Sequence, residues 1–192
     1  MRAAVFYATR EGHTRHIANR IAIDLRALGA EVDLFDVRAG SPVEWSAYSA
    51  AVVAASVHVG HHEREMITFV RRHRPELERR SAAFISVTLS EAGAENLMRS
   101  DAERERAAAD VQRMIDVFVK KTGWRPARAL PVAGALAYSR YNVFVRFIMK
   151  RIAREAGAPT DTSRDYVFTD WPALDRFVAT LANGQCRESE VR

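Results

Sequence analysis

The chain has 192 residues, 48% hydrophobic and 28% charged, which is the balance of a globular protein with one sizeable core. Its net charge of +5 favours acidic partners, but no RNP, zinc-finger or helix-turn-helix signature supports nucleic acid. A single cysteine, Cys186, excludes an internal disulfide and a multi-cysteine metal site. No segment is typical of a signal peptide or a transmembrane helix. We expect a cytoplasmic protein without nucleic acid or metal.

Apolar runs alternate with helical periodicity along the chain. The runs predict five strands, at 3–8, 31–36, 50–56, 82–88 and 128–135. Helices are predicted from Thr14 to Gly29, over 41–48, after His62 as far as Pro75, over 101–122 and from Asp170, with a loop over 89–100. This alternation is typical of parallel βαβ units in a doubly wound sheet. We expect one domain over 1–182 and a flexible tail over 183–192.

The segment Tyr7–Thr14 joins the first strand to the first helix, with Thr14 predicted as the N-cap. A turn at this point directs backbone N–H groups and the positive end of the helix dipole at one spot, which suits a phosphate. The segment contains threonines and Gly12 but no lysine, so it matches neither a Walker-type loop nor G-x-G-x-x-G. These residues indicate a monophosphate site, with an ordinary helix-capping loop as the alternative.

Two further loops should lie beside this one, because ligands of such sheets bind beyond the carboxyl ends of the central strands. They are 56–62 and 88–90, each directly after an apolar run. A monophosphate at the first loop and two loops to cover a planar ring describe FMN in a flavodoxin-like fold, with strand order 2-1-3-4-5.

An additional segment over about 137–168 exceeds what is needed between a last strand and a last helix. Its pattern predicts a basic amphipathic helix, which can contact an acidic ligand or an anionic membrane surface, or can pack on the domain itself. Residues of this insertion predicted to face substrate or membrane are Tyr141, Phe144, Arg146, Ile148, Lys150, Arg151 and Arg154.

Several segments together resemble the flavodoxin-type, menaquinone-dependent protoporphyrinogen dehydrogenase family. They are Tyr7–Gly12, Ala55–His61, Trp124–Pro126, Ala133–Leu136, Thr160–Thr162 and Thr169–Trp171. The insertion after the fifth strand is this family's distinguishing addition. The resemblance implies FMN binding and oxidation of protoporphyrinogen IX to protoporphyrin IX, with menaquinone or another quinone as acceptor. It also implies a peripheral position at the inner face of the plasma membrane.

The same resemblance suggests which residues contact FMN. The phosphate is assigned to Thr9, Arg10, Glu11, Gly12, His13 and Thr14. One face of the ring is assigned to Ser56, Val57, His58, Val59 and Gly60, and its pyrimidine side to Ser86, Val87, Thr88 and Leu89. A plain flavodoxin has threonine where this chain has Glu11, so we expect the Glu11 carboxylate to turn toward solvent or an arginine.

Candidates for a proton-accepting group are His58, His61 and His62, and the sequence does not choose among them. Two other functions stay open. An electron-carrier flavodoxin would have the same fold, although the basic charge of this chain disfavours it. An FMN-dependent NAD(P)H:quinone reductase is the second alternative.

Overall fold

The structure, a computed structural model, describes residues 1–140, 146–147, 153 and 160–189. Its strands are β1 (Arg2–Ala8), β2 (Glu31–Asp36), β3 (Ala50–His58), β4 (His61–His62), β5 (Ser81–Thr88), β6 (Arg128–Ala133), β7 (Ala135–Leu136) and β8 (Tyr166–Val167). Its helices are α1 (His13–Ala27), α2 (Arg64–Glu78), α3 (Leu89–Glu95), α4 (Asp101–Thr122) and α5 (Trp171–Ser189). In this described part, no helix is long and apolar enough to cross a membrane.

The main sheet has the order β2-β1-β3-β5-β6, with all these pairs parallel. Counting only these five strands, the order is 2-1-3-4-5, so the predicted flavodoxin-like fold is confirmed. The chain reverses its direction of winding between β1 and β3, which opens a crevice at their carboxyl ends. Pro131 lies in the edge strand β6, where a residue without an N–H is tolerated.

Helices cover both faces of the sheet. On β1, Val5 packs with α1 and α5, whereas its neighbour Phe6 packs with α2 and α4 on the opposite face. This division follows from the alternation of side chains along a strand. On the second face, the Phe84 and Phe118 rings stack with centroids 4.2 Å apart and fill the space between β5 and α4. Both faces of the sheet are therefore packed with apolar side chains, and the polar groups considered below lie at the ends of the strands.

Two boundaries near the strand ends differ from the predictions. Helix α1 begins at His13 and not after Thr14, because Gly12 adopts a left-handed φ of 92° and turns the chain two residues earlier. The predicted loop after Thr88 is instead helix α3. The Thr88 hydroxyl accepts a hydrogen bond from the Ser90 N–H at 3.2 Å, which starts this helix.

Four other boundaries were wrong. Helix α2 passes Pro75 and ends at Glu78, since a proline in the last turn removes only one hydrogen bond. The region 41–48 forms only a short 3₁₀ turn at Trp45–Ala47. Strand β6 stops at Ala133, and the two residues that follow Gly134 pair elsewhere. The last helix continues to Ser189, so helix occupies most of the predicted tail; one glycine weakens a helix without ending it.

The insertion begins and ends in a two-stranded ribbon. Leu136 of β7 pairs with Tyr166 of β8 in antiparallel register. Tyr138 and Ala153 are buried in a small cluster with Leu136. Of the predicted insertion residues, Arg146 is described and half-buried, and Phe147 beside it is 71% exposed. The others lie outside the described residues: Tyr141, Phe144, Ile148, Lys150, Arg151 and Arg154.

Candidate functional site

Three of the predicted loops meet at one edge of the sheet. Strands β1, β3 and β5 are adjacent, and their last residues are Ala8, His58 and Thr88. The register pairs Ala8 with Ala55, and Ser56 with Val87, so the carboxyl ends are nearly level. The loops that follow these strands are therefore neighbours, as the sequence predicted.

The first loop, residues 9–12, ends in a tight turn at the N-terminus of α1. The Thr9 hydroxyl accepts the Gly12 N–H at 2.9 Å, and Gly12 caps the helix in the left-handed conformation. The first-turn N–H groups of His13 and Thr14 have no intrahelical acceptor, as in every α-helix. Thr14 is buried, and in the described part of the chain no group hydrogen-bonds to its hydroxyl. These neutral donors form an anion-binding corner without a lysine.

The charged side chains of this loop point to other partners. Arg10 Nε lies 3.1 Å from Glu63 Oε2, and its Nη2 lies 3.7 Å from Glu65 Oε1. Glu11 Oε2 lies 3.4 Å from His58 Nε2. The sequence did not predict this contact of Glu11 with a histidine. An anion at the helix terminus would meet backbone and hydroxyl groups.

The second loop is a tight hairpin between β3 and β4. His58 pairs with His61, which leaves Val59 and Gly60 as the two turn residues, with φ of 49° and 75°. Two consecutive positive φ values are typical of a type I′ turn, which favours Asn-Gly and disfavours a β-branched residue. Val59 is nevertheless there, and it is 95% exposed. Its strained position puts an apolar side chain at the tip of the loop.

A buried carboxylate connects the hairpin with the first loop. The Glu63 side chain is 0% exposed and lies directly before α2. Its Oε1 accepts from the Ser56 hydroxyl at 3.2 Å and lies 3.1 Å from His58 Nε2, while Oε2 accepts from Arg10. The His58 contact is an ion pair without the alignment of a hydrogen bond. We name Glu63, Arg10, Ser56, His58 and Glu11 the Glu63 cluster.

Opposing effects act on the ionisable groups of the Glu63 cluster. Burial alone would lower the pKa of His58, but its contact with Glu63 and the charge of Glu11 outweigh burial and raise that pKa. Burial alone would raise the pKa of Glu63, but His58, Arg10 and Ser56 outweigh it and lower that pKa. Both shifts favour the charged forms of the pair.

The other two loop histidines differ from His58. His62 is buried and its Nε2 lies 2.9 Å from the Ser86 hydroxyl, between the rings of Phe84 and Phe118. Burial, with smaller effects from nearby cations, lowers the pKa of His62 to about 4, so it stays neutral. His61 is exposed on the short strand β4. Within the residues described, no group of three or more His, Cys, Asp or Glu side chains is arranged to hold a metal ion.

At the end of β5, fewer side chains are available to a ligand than the sequence predicted. Ser86, Val87 and Thr88 are all buried, and two of them have internal partners: Ser86 contacts His62, and Thr88 caps α3. Leu89 packs on the cluster at the base of the insertion. A ligand at this strand end would therefore meet backbone groups and the start of α3.

The sequence did not predict two features of the carboxyl edge of the sheet. His13 Nε2 lies 2.8 Å from the Thr169 hydroxyl, which itself donates to the Ala133 carbonyl at 2.7 Å. His13 must then be the donor, which requires the Nε2–H tautomer. Burial, followed by the charge of His16, lowers the pKa of His13 to about 4, so it is neutral. This contact joins the first loop to the segment that leaves the insertion, although the two are 156 residues apart.

The second feature is Glu91 in the first turn of α3. Burial, with a smaller effect from the charge of Glu95, raises the pKa of Glu91 to about 7. Glu95 in turn has its pKa raised by burial and by Asp170 at the start of α5. Because α3 was predicted as a loop, neither glutamate could be placed. A carboxyl group that titrates near neutral pH thus lies beside the end of β5.

The neutral donors at the start of α1, beside the exposed apolar tip of the hairpin, fit a phosphate-bearing flavin by their chemistry. Residues 4–163 match the family model described as Flavodoxin domain, which makes the chain a flavodoxin-domain protein. It is 32% identical over 183 residues to the "Protoporphyrinogen IX dehydrogenase [quinone]" of Escherichia coli K12, covering 95% of this chain and 96% of that protein. The chain therefore belongs to the protoporphyrinogen IX dehydrogenase (quinone) family.

Other similarities agree. The protein of the same name from Leishmania major is 31% identical over 179 residues, which cover 93% of this chain and 73% of that protein. The Streptococcus pneumoniae TIGR4 flavodoxin superposes with a TM-score of 0.51 and 17% identity, covering 96% of this chain and 99% of that one. The Flv1 flavodiiron core of Synechocystis superposes with a TM-score of 0.51 and 12% identity, covering 98% of this chain and 36% of that one. The two structures show the fold alone.

The strain at the hairpin tip predicts a stabilising substitution. Val59→Asn should raise the free energy of unfolding by on the order of 1 kcal/mol, because asparagine tolerates a positive φ and suits the first position of a type I′ turn. The melting temperature should rise by about 2–4 °C. Leu97→Asn is the control, since Leu97 is also exposed but has no positive φ. An unchanged or lower melting temperature for Val59→Asn alone would contradict strain at this turn.

Proposed function

We propose that this chain binds FMN at the carboxyl edge of its sheet and oxidises protoporphyrinogen IX to protoporphyrin IX, with menaquinone or another quinone as the electron acceptor. The observation that carries the proposal is the anion-binding corner at residues 9–14, beside the Val59 hairpin, in a chain that matches its relatives over almost its whole length. A bound FMN would supply the group that takes hydride from the substrate and returns the electrons to the quinone.

The protein's own part begins with the phosphate. The hydroxyls of Thr9 and Thr14 and the first-turn N–H groups of α1 are neutral donors, and the dipole of α1 adds a positive field. Arg10 contributes little charge there because Glu63 and Glu65 hold its side chain. This corner accommodates one phosphate, and no second phosphate motif exists in the chain. FMN is therefore favoured over FAD.

Oxidation of the substrate releases protons as well as electrons, so the edge needs a group that accepts them. His58 Nε2 does not meet this need well, because it is buried against the carboxylates of Glu11 and Glu63, which favour its protonated form. His62 is buried against Ser86 and stays neutral. Glu91, with a pKa of about 7, is the better candidate and lies in the first turn of α3.

The substrate is a flat apolar macrocycle with two propionates, so its site should combine an apolar wall with cations. The insertion offers groups of both kinds. Among its described residues, Phe147 is 71% exposed and lies beside Arg146, whereas Leu136, Tyr138 and Ala153 are buried in its base. A quinone dissolves in the bilayer, so the same surface should approach an anionic membrane.

A turnover assay separates this function from its alternatives. The purified protein, with its flavin identified by mass, is given protoporphyrinogen IX and menaquinone, and protoporphyrin fluorescence is recorded. Oxidation of NADH or NADPH by the same quinone is measured in parallel. Porphyrin formation that requires the quinone supports the proposal. Faster oxidation of the nicotinamide would identify a quinone reductase, whereas FMN without either activity would identify an electron carrier.

The phosphate assignment predicts that Thr14→Val weakens FMN binding without unfolding the protein. Losing one hydrogen bond to a charged acceptor costs about 1.5–3 kcal/mol, or about ten- to a hundredfold in dissociation constant. Quenching of FMN fluorescence on titration into apoprotein measures this constant. Thr68→Val on the exposed side of α2 is the matched control and should bind as wild type does. Equal constants for the two variants would place the phosphate elsewhere.

The insertion predicts salt-sensitive binding to anionic vesicles. Each cation near an anionic surface contributes about 1 kcal/mol, and salt screens this attraction. Lys150→Glu with Arg154→Glu should abolish co-sedimentation and lower turnover with menaquinone, while FMN content stays constant. The control, Arg106→Glu with Arg113→Glu on the exposed face of α4, changes the net charge equally. If the two double variants show the same co-sedimentation with vesicles and the same turnover, the insertion has no specific role at the membrane.

A further inference from the structure

Glu63 contacts two segments of the site from beneath, the first loop and the end of β3. Its carboxylate lies 3.1 Å from Arg10 of the first loop, 3.2 Å from the Ser56 hydroxyl on β3 and 3.1 Å from His58 at the hairpin. All three partners are predicted to contact FMN, whereas Glu63 is fully buried below them. It directly precedes α2, yet its carboxylate accepts no hydrogen bond from that helix, so these partners fix its orientation.

The burial of this carboxylate makes the loops depend on one another. A carboxylate removed from water is tolerated only with cations and hydrogen-bond donors around it. Here the partners come from the first loop and from the end of β3, where the hairpin begins, and moving either segment leaves a buried charge uncompensated. Glu63 N–H also donates to the Ser56 carbonyl at 3.1 Å, so both its backbone and its side chain hold β3.

We propose that Glu63 is a positioning residue of the FMN site, which holds the phosphate loop and the Val59 hairpin at the separation that FMN needs without contacting FMN. The ligand's identity rests on the proposed function, but the coupling of the two loops does not. FMN affinity is then set in part by a residue outside the binding surface, because only the ordered arrangement of the loops binds well.

The pH dependence of binding follows from the groups around His58. Those groups are Glu11 and Arg10 of the first loop, Glu63 before α2, and His61 across the hairpin. The pKa of His58 is raised, so its stabilising charge is complete below about pH 6.5 and is lost as pH rises through the raised value. The pKa of Glu63 is lowered, so its charge is lost only as pH falls through that lowered value. FMN affinity should decline on the alkaline side.

Glu63→Gln tests the proposal, because it keeps the size and an oxygen for Ser56 while removing the charge. In the apoprotein, the pKa of His58 measured by NMR should fall below its wild-type value. The FMN dissociation constant at pH 6.5 should rise by about tenfold, as when the ordered fraction falls to about a tenth, and its alkaline decline should disappear. Glu65→Gln is the matched control: it also contacts Arg10, at 3.7 Å, but is partly exposed, and both measurements should stay as in wild type.

The proposal is overturned if Glu63→Gln matches Glu65→Gln in both measurements. If Glu63→Gln does not fold, Glu63→Gln with His58→Gln removes both charges. That variant should fold and bind FMN weakly at every pH, and wild-type affinity in it would also overturn the proposal. If even the wild-type protein binds no FMN, the proposed function fails, and the NMR titration of His58 still decides whether Glu63 couples the loops.

Discussion

The buried carboxylate of Glu63 is the constraint on which the site depends. Many other contacts at this edge of the sheet are apolar packing, tight turns or hydrogen bonds between neutral groups, such as His62 with Ser86. A buried charge is different, because it accepts only a few arrangements of its partners. Arg10 of the first loop, together with Ser56 and His58 at the end of β3, meets that requirement. The geometry of the loops is therefore set by electrostatics, on a scaffold set by hydrophobic burial.

The same cluster divides the edge into regions of different polarity. Because the charge of Arg10 is directed to Glu63, the helix terminus at Gly12 presents neutral donors to an anion. On the other side of β5, Glu91 lies in a setting that favours its neutral form. Between them is the exposed apolar tip at Val59. An apolar macrocycle and a flavin ring would meet little uncompensated charge there.

Much of the fold could be predicted because apolar runs and helical periodicity report directly on burial. The strands around Val5, Val52 and Ile85 are continuous apolar runs, and the structure buries all three residues. The loops after β1 and β3 were also placed correctly, since parallel topology requires it. Helix α3, which replaces the predicted loop after β5, was missed because Leu89–Glu95 is short and has a glycine inside, so its periodicity is weak. The contact of Glu63 with Arg10 could not be predicted, because an ion pair across 53 residues leaves no local pattern.

The antiparallel pairing of β7 and β8 determines where the insertion joins the domain. Its two strands are adjacent, with Leu136 opposite Tyr166, so the insertion leaves and re-enters the domain about 5 Å apart. A two-residue turn could close the same gap, since hairpins of that length are common. Neither β6 nor α5 would need to move. The length of the segment between β7 and β8 is therefore independent of the geometry of the main sheet.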